Sequence, residues 1–228
     1  MQPGEQKAMT PEIIKRIDDA GIVAVLIIDE LKHAVPLARA LLNGGVNAIE
    51  LTLRTPVAID AACAIKKEVP ELTLGIGTVL TLDQVKASAD AGADFAVSPG
   101  CNPKVIAKAR EQGLSFAPGV MTPTDIEMAI DQGCRILKYF PAETAGGLEH
   151  LRNMAAPYLY LGLKFIPLGG LNIDNARSYL ESPLITAIGG SWLAKRPLIQ
   201  AENWGIITEN ARKIRALITD IRSKRTNS

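Results

Sequence analysis

The sequence predicts a single (β/α)8 barrel with one extra helix at its N-terminus, and three observations predict it. Short β-prone apolar runs alternate with helical segments eight times, the links are short, and several helices close on a glycine. Alternation of this kind specifies a parallel sheet, and eight repeats favour a closed barrel over an open one. A length of 228 residues suits such a barrel as one domain. No linker or low-complexity stretch divides the chain, so residues 1–228 are read as one unit, with 1–9 and 223–228 expected to fray.

The extra helix starts at Thr10-Pro11-Glu12: a hydroxyl N-cap, a proline at the first helical position and an acid in the first turn. It ends near Gly21, and Ile22–Leu26 is the first strand. A helix over about residues 31–42 ends at Gly44-Gly45 and leads to the second strand, Ala48–Thr52. Pro56–Val69 reads helical and Leu72–Thr78 is the third strand. Thr81 and Gln84 form a capping box that opens the next helix, which closes at Gly92 before strand four, Asp94–Ser98. Asn102-Pro103 starts a helix ending at Gly113, with Leu114–Pro118 as strand five, and Thr122-Pro123 starts one ending at Gly133. Strand six lies in Cys134–Glu143, strand seven is Lys164–Leu168, and strand eight, Ile185–Gly189, follows a helix over about 174–180. From Pro197 onward the chain is mostly helical.

Strand six is the unusual one. Ile136, Leu137, Tyr139 and Phe140 make it an apolar run, and Lys138 sits inside it. Burying an ammonium is costly and favours the neutral amine, a nucleophile able to condense with a carbonyl. A lysine snorkelling from a strand end, or paired to a carboxylate, would look the same locally. Comparison between repeats adds to this. Five residues after the helix-ending glycine stand Glu50 after Gly45, Val97 after Gly92, Pro118 after Gly113, and Lys138 after Gly133. If the repeats share register, Glu50 and Lys138 enter one layer from opposite walls, since alternate strands fill a layer. Both stand toward the C-terminal strand ends, where barrel active sites form, and a charged pair there is expensive without function.

Around the pair, Arg54 falls just past strand two, suited to a carboxylate or phosphate. Thr78 ends the third strand in GIGT, and Pro99 stiffens the end of the fourth. Strands seven and eight end in Gly169-Gly170 and Gly189-Gly190-Ser191, the common place for a phosphate in this fold. Together these fit cleavage of a carbon–carbon bond in a phosphorylated 2-oxo acid through an iminium ion. Net charge is +1, which points to neither nucleic acid nor a membrane surface, and no apolar run is long enough to span a bilayer. Cys63, Cys101 and Cys134 form no disulfide or metal pattern, and His33 and His150 alone cannot furnish a His-based zinc site. The expectation is a cytoplasmic enzyme needing no metal or cofactor.

The motifs LTLRT at Leu51–Thr55 after Glu50, GTVL at Gly77–Leu80, SPG at Ser98–Gly100, LKYFPAE at Leu137–Glu143 and GGSW at Gly189–Trp192 resemble one family. It is the 2-keto-3-deoxy-6-phosphogluconate (KDPG) and 4-hydroxy-2-oxoglutarate (KHG) aldolase family. The resemblance implies that Lys138 is the Schiff-base lysine and Glu50 the general acid/base. It also implies that Arg54 and Thr78 hold the pyruvate carboxylate, that Pro99 bears on stereochemistry, and that Gly169, Gly170, Gly190 and Ser191 hold phosphate. A homotrimer is implied as well. One departure stands out: Leu168 precedes the Gly-Gly pair where the family has threonine. Rival readings are a 2-keto-3-deoxy-6-phosphogalactonate aldolase, a phosphate-binding isomerase or synthase with Lys138 as an electrostatic clamp, and a silent ligand-binding barrel.

Overall fold

Local chemistry sets the helix starts in the computed structural model, which describes residues 8–226. Thr10 accepts from the Ile13 amide and Gly21 closes the same helix in the left-handed region. Thr81 with Gln84, and Thr122 with Asp125, form capping boxes, and Asn102 caps the helix that begins at Pro103. The elements run α1 (Pro11–Ala20), β1 (Ile22–Leu26), α2 (Ala34–Asn43), β2 (Ala48–Thr52), α3 (Ala58–Glu68), β3 (Thr73–Gly77), α4 (Leu82–Asp90) and β4 (Phe95–Val97). Then come α5 (Pro103–Glu111), β5 (Ser115–Ala117), β6 (Gly119–Val120), α6 (Pro123–Asp131), β7 (Ile136–Tyr139) and α7 (Gly147–Ala155). The chain ends with β8 (Lys164–Pro167), α8 (Ile173–Leu180), β9 (Ile188–Gly190), α9 (Arg196–Gln200) and α10 (Trp204–Thr226).

All strand pairs are parallel, in a curled six-stranded sheet ordered β5-β4-β3-β2-β1-β9 and a three-stranded sheet ordered β6-β7-β8. The expected fifth strand is therefore two short ones. Pro118 has no N–H to give a ladder, and pairing changes there: Ser115–Ala117 joins β4, while Gly119 aligns with Lys138. The expected eighth strand divides similarly. Ile185 bridges Phe165 of β8, while Ile188–Gly190 pairs with β1. One helix, α7, went unassigned; it begins at Gly146-Gly147 without a side-chain cap, so it carries no start signal. Ala8 and Met9 are buried and residues 223–226 continue α10, so the expected fraying does not reach them. Residues 1–7 and 227–228, where it was also expected, lie outside the described residues. Among the described residues no helix is long and apolar enough to cross a membrane.

Strand alternation divides the core in two. Ile22, Ala24 and Leu26 of β1 face the helices in the larger cluster, while Val23 joins an inner cluster fed by both sheets. Ala48, Phe95, Ala117, Ile136 and Ile166 meet there. Met9, Ile13, Ile17 and Ala20, spaced to share one face of α1 and the turn before it, close this cluster at the N-terminal strand ends.

Candidate active site

Glu50 is the middle residue of β2 and Lys138 the third of β7. Their side chains meet: Lys138 Nζ donates to Glu50 Oε1 at 3.0 Å and lies 3.4 Å from Oε2. Glu50 is 2% exposed and Lys138 5%, so the pair is secluded from solvent. The equal five-residue offset from the preceding helix ends thus brings the two together. β3 makes the room. A Cβ on Gly77 would come within 2.0 Å of Glu50 Oε1, and one on Gly75 within 2.2 Å of the Phe95 ring. The Gly-Ile-Gly of this strand is therefore a packing requirement of the carboxylate and the aromatic ring beside it. Lys138 Nζ also stands 5.5 Å from the centroid of the Phe140 ring, within cation–π range.

Burial of this kind does not by itself stabilise a fold, because desolvating two charges roughly offsets their attraction. Its chemical value is that an amine and a proton acceptor are held in contact, away from bulk water.

Next to the pair is a cleft of about 350 Å³, walled by Val25, Ile27, Phe140 and Leu168 and rimmed by polar groups. Val25 aligns with Glu50 across the β1–β2 ladder, and Phe140 carries the contact to Lys138, so pair and cleft adjoin. Arg54, Gly169, Gly170 and Ser191 line it, together with Gly189. Arg54 is exposed, and among the described residues its guanidinium has no ion-pair partner. The threonines of its motif fix its loop: Thr52 donates to the Leu26 carbonyl at 3.0 Å and Thr55 to the Ile28 carbonyl at 2.6 Å.

Glu50 and Lys138 adjoin this cleft without lining it, and Gly190, Pro99 and Thr78 also lie outside its lining. Gly190 packs against Trp192, whose ring carbon lies 2.6 Å from where a Cβ would be. Pro99 is half-buried, and its carbonyl oxygen stands 2.1 Å from where a Cβ on Gly119 would be. Thr78 directly follows β3 with φ at 63°, in the left-handed region. For a β-branched residue that conformation is strained by about 1–3 kcal/mol, a cost that marks functional positions. Leu168 is buried in the cleft wall, and its side chain fills the space over Gly189.

Lys195 and Arg196 also line the cleft, although no motif singled them out in the sequence. Two adjacent cations just after Gly-Gly-Ser-Trp were the available signal. Only one is unengaged. Arg196 grips Asp29 with two N–H groups, one at 2.7 Å, and Gln200 reaches the same carboxylate at 2.9 Å. The Arg196 hydrogen bond, more than any other factor, holds the Asp29 carboxyl below its ordinary range. Lys195 is exposed and has no ion-pair partner among the described residues.

Comparison with known proteins points to one family. Residues 13–210 match the family model for KDPG and KHG aldolase. The KHG/KDPG aldolase of Escherichia coli is 41% identical over 192 residues, covering 84% of this chain and 89% of that protein. The 2-dehydro-3-deoxy-phosphogluconate aldolase of Treponema pallidum is 38% identical, covering 86% of this chain and 92% of its own length. Among solved structures, KDPG aldolase from Legionella pneumophila, with pyruvate captured as a covalent carbinolamine intermediate, superposes with a TM-score of 0.83. It is 35% identical and the match covers 87% of this chain and 96% of that one.

Proposed function

The chain belongs to the KDPG and KHG aldolase family, and from that premise we infer how its residues cleave a 2-oxo acid. It is a lyase, and the reading that fits its site is a class I aldolase acting on 2-keto-3-deoxy-6-phosphogluconate. The observation that carries the reading is the buried contact of Lys138 Nζ with Glu50 beside a cleft edged by Arg54.

Glu50 takes a proton from Lys138, the freed amine adds to the C2 carbonyl, and the same proton returned to the carbinolamine hydroxyl releases water and leaves a protonated imine. Glu50, through a water, removes the C4-hydroxyl proton. The C3–C4 bond then breaks, its electrons entering the iminium to form an enamine, and glyceraldehyde 3-phosphate leaves. Glu50 returns a proton to C3, and hydrolysis frees pyruvate and the lysine. Arg54 and Thr78 hold the carboxylate, and Pro99 limits the approach to C4. Gly169, Gly170, Gly190 and Ser191 take the phosphate, with Lys195 adding positive charge at that end.

We further propose that the strands close into one (β/α)8 barrel domain over the described residues 8–226. Supports are the Phe165–Ile185 bridge at one seam and the 3.3 Å Gly119-to-Gly100 hydrogen bond at the other. A cytoplasmic homotrimer is part of the same reading. The dual-named E. coli relative supports 4-hydroxy-2-oxoglutarate as a second substrate.

The test is borohydride reduction with pyruvate. One reduced pyruvate should appear per chain, on the peptide containing Lys138; no adduct, or one on Lys164, overturns the assignment.

A further inference from the structure

The stretch Leu137–Glu143 carries more than the lysine. Beyond Lys138 the chain turns under the Gly169-Gly170 loop, and the Ala142 and Glu143 amides donate to the Leu168 and Gly169 carbonyls at 2.7 and 3.0 Å. The Gly170 carbonyl is taken in turn by Asn175 Nδ2 of α8 at 3.3 Å. With the carbonyls so engaged, the Gly169 and Gly170 amides have no partner among the described residues, and both glycines line the cleft.

Glu143 completes the arrangement. Its side chain occupies the place where Gly170 has no Cβ: an added one would meet Glu143 Cβ at 2.5 Å and Cγ at 2.8 Å. Its carboxylate accepts the hydroxyl of Tyr179, a buried residue in the last turn of α8. Tyr179 reaches no substrate-lining atom itself. Burial first, and the Glu143 hydrogen bond second, hold its phenol above the ordinary tyrosine range.

We propose that Tyr179 and Glu143 form a strut that positions the Gly169–Gly170 loop for the phosphorylated end of the substrate. Three elements meet at this one hydrogen bond: the end of the lysine strand, the glycine loop and the helix that follows the loop. Tyr179 is thus a positioning residue, acting through Glu143 on the amides of the loop. The proposal rests on the aldolase reading above.

The experiment is Tyr179→Phe, which removes only the hydroxyl, read by steady-state kinetics beside pyruvate trapping. A hydrogen bond to a charged group is involved, so KM for the phosphorylated substrate should rise by about tenfold. kcat, and the pyruvate concentration giving half-maximal borohydride adduct on Lys138, should move by less than about twofold on the same argument. Glu143→Ala should reproduce the rise, and Glu143→Gln, which keeps an acceptor oxygen, should recover most of it. Because Glu143 is exposed, those two variants carry the test if Tyr179→Phe does not fold. Equal loss in KM, kcat and trapping would make the strut a general packing device and overturn the proposal. An unchanged KM in Glu143→Ala would also overturn it. A wild-type protein that forms no pyruvate adduct refutes the aldolase reading instead, and that result is separately legible.

Discussion

The two ends of the strands are built from opposite materials. At the N-terminal ends, α1 lays Ile13, Ile17 and Ala20 in one apolar cluster with Val23, Ala48, Phe95 and Ile136, and the charges nearby, Arg16 and Lys66 on Asp94, stand outside that cluster. One layer further along the same strands, Glu50 and Lys138 stand in contact, and past them the cleft collects Arg54, Lys195 and the glycine loops. One end can be apolar and sealed because nothing has to enter there. The other carries buried charge, a left-handed Thr78 and amides without a partner among the described residues, each unfavourable for folding and each useful to a ligand. Stability and chemistry are thus separated along the strand direction within a single inner column.

Three substitutions break or sharpen that separation. Glu50→Gln, at the open end, has the largest expected effect. Glutamine keeps the shape beside Gly77 but cannot carry the proton, so kcat should fall about 10²–10⁴-fold while the imine still forms. A kcat near the natural value would make Glu50 a structural partner of Lys138 only. Ile17→Ala, at the sealed end, is its counterpart. Ile17 is 0% exposed, and truncation should cost about 2–5 kcal/mol of unfolding free energy in denaturant titrations with kcat essentially retained. If kcat fell in step with stability, the two ends would not be independent.

The smallest effect is expected at Leu168, on the boundary between the two. Its side chain belongs to the inner apolar cluster and to the cleft wall at once. On the proposed aldolase reading, Leu168→Thr introduces a hydroxyl into the cleft wall beside the path of the substrate's hydroxyl groups. One neutral hydrogen bond is worth about 0.5–1.5 kcal/mol, so the kcat/KM ratio between C4 epimers should shift by roughly three- to twelvefold. A ratio unchanged within about twofold would assign Leu168 to packing alone.

Helix α1 and most element boundaries were legible in the sequence, but the role of that helix in sealing the strand ends was not, and Met9 of the sealing cluster fell in the stretch expected to fray. Thr10, Thr81, Asn102 and Thr122 cap helices through bonds to residues two or three positions away, so a short window contains both partners. Helix α7 escaped because its start at Gly146 has no such bond. The pairing of Glu50 with Lys138 was also legible, although 88 residues separate them, because equal offsets from Gly45 and Gly133 place them at matching heights. Pro118 stood in the corresponding position of strand five, and its missing N–H is what divides that strand.

What the sequence determined by itself, then, was whatever depends on local hydrogen bonds or on a period repeated along the chain: the helix caps, the strand spans other than the fifth and eighth, the shared layer of the acid and the lysine. What only the tertiary structure decided was the choice among equivalent partners. Arg196 rather than Lys195 is bound to Asp29, 167 residues earlier, and Glu143 takes Tyr179 from 36 residues away. No period links those positions. A surface cation or a tyrosine has many candidate acceptors of equal chemistry in the sequence, and only the packing of one loop against another brings a single acceptor within about 3 Å.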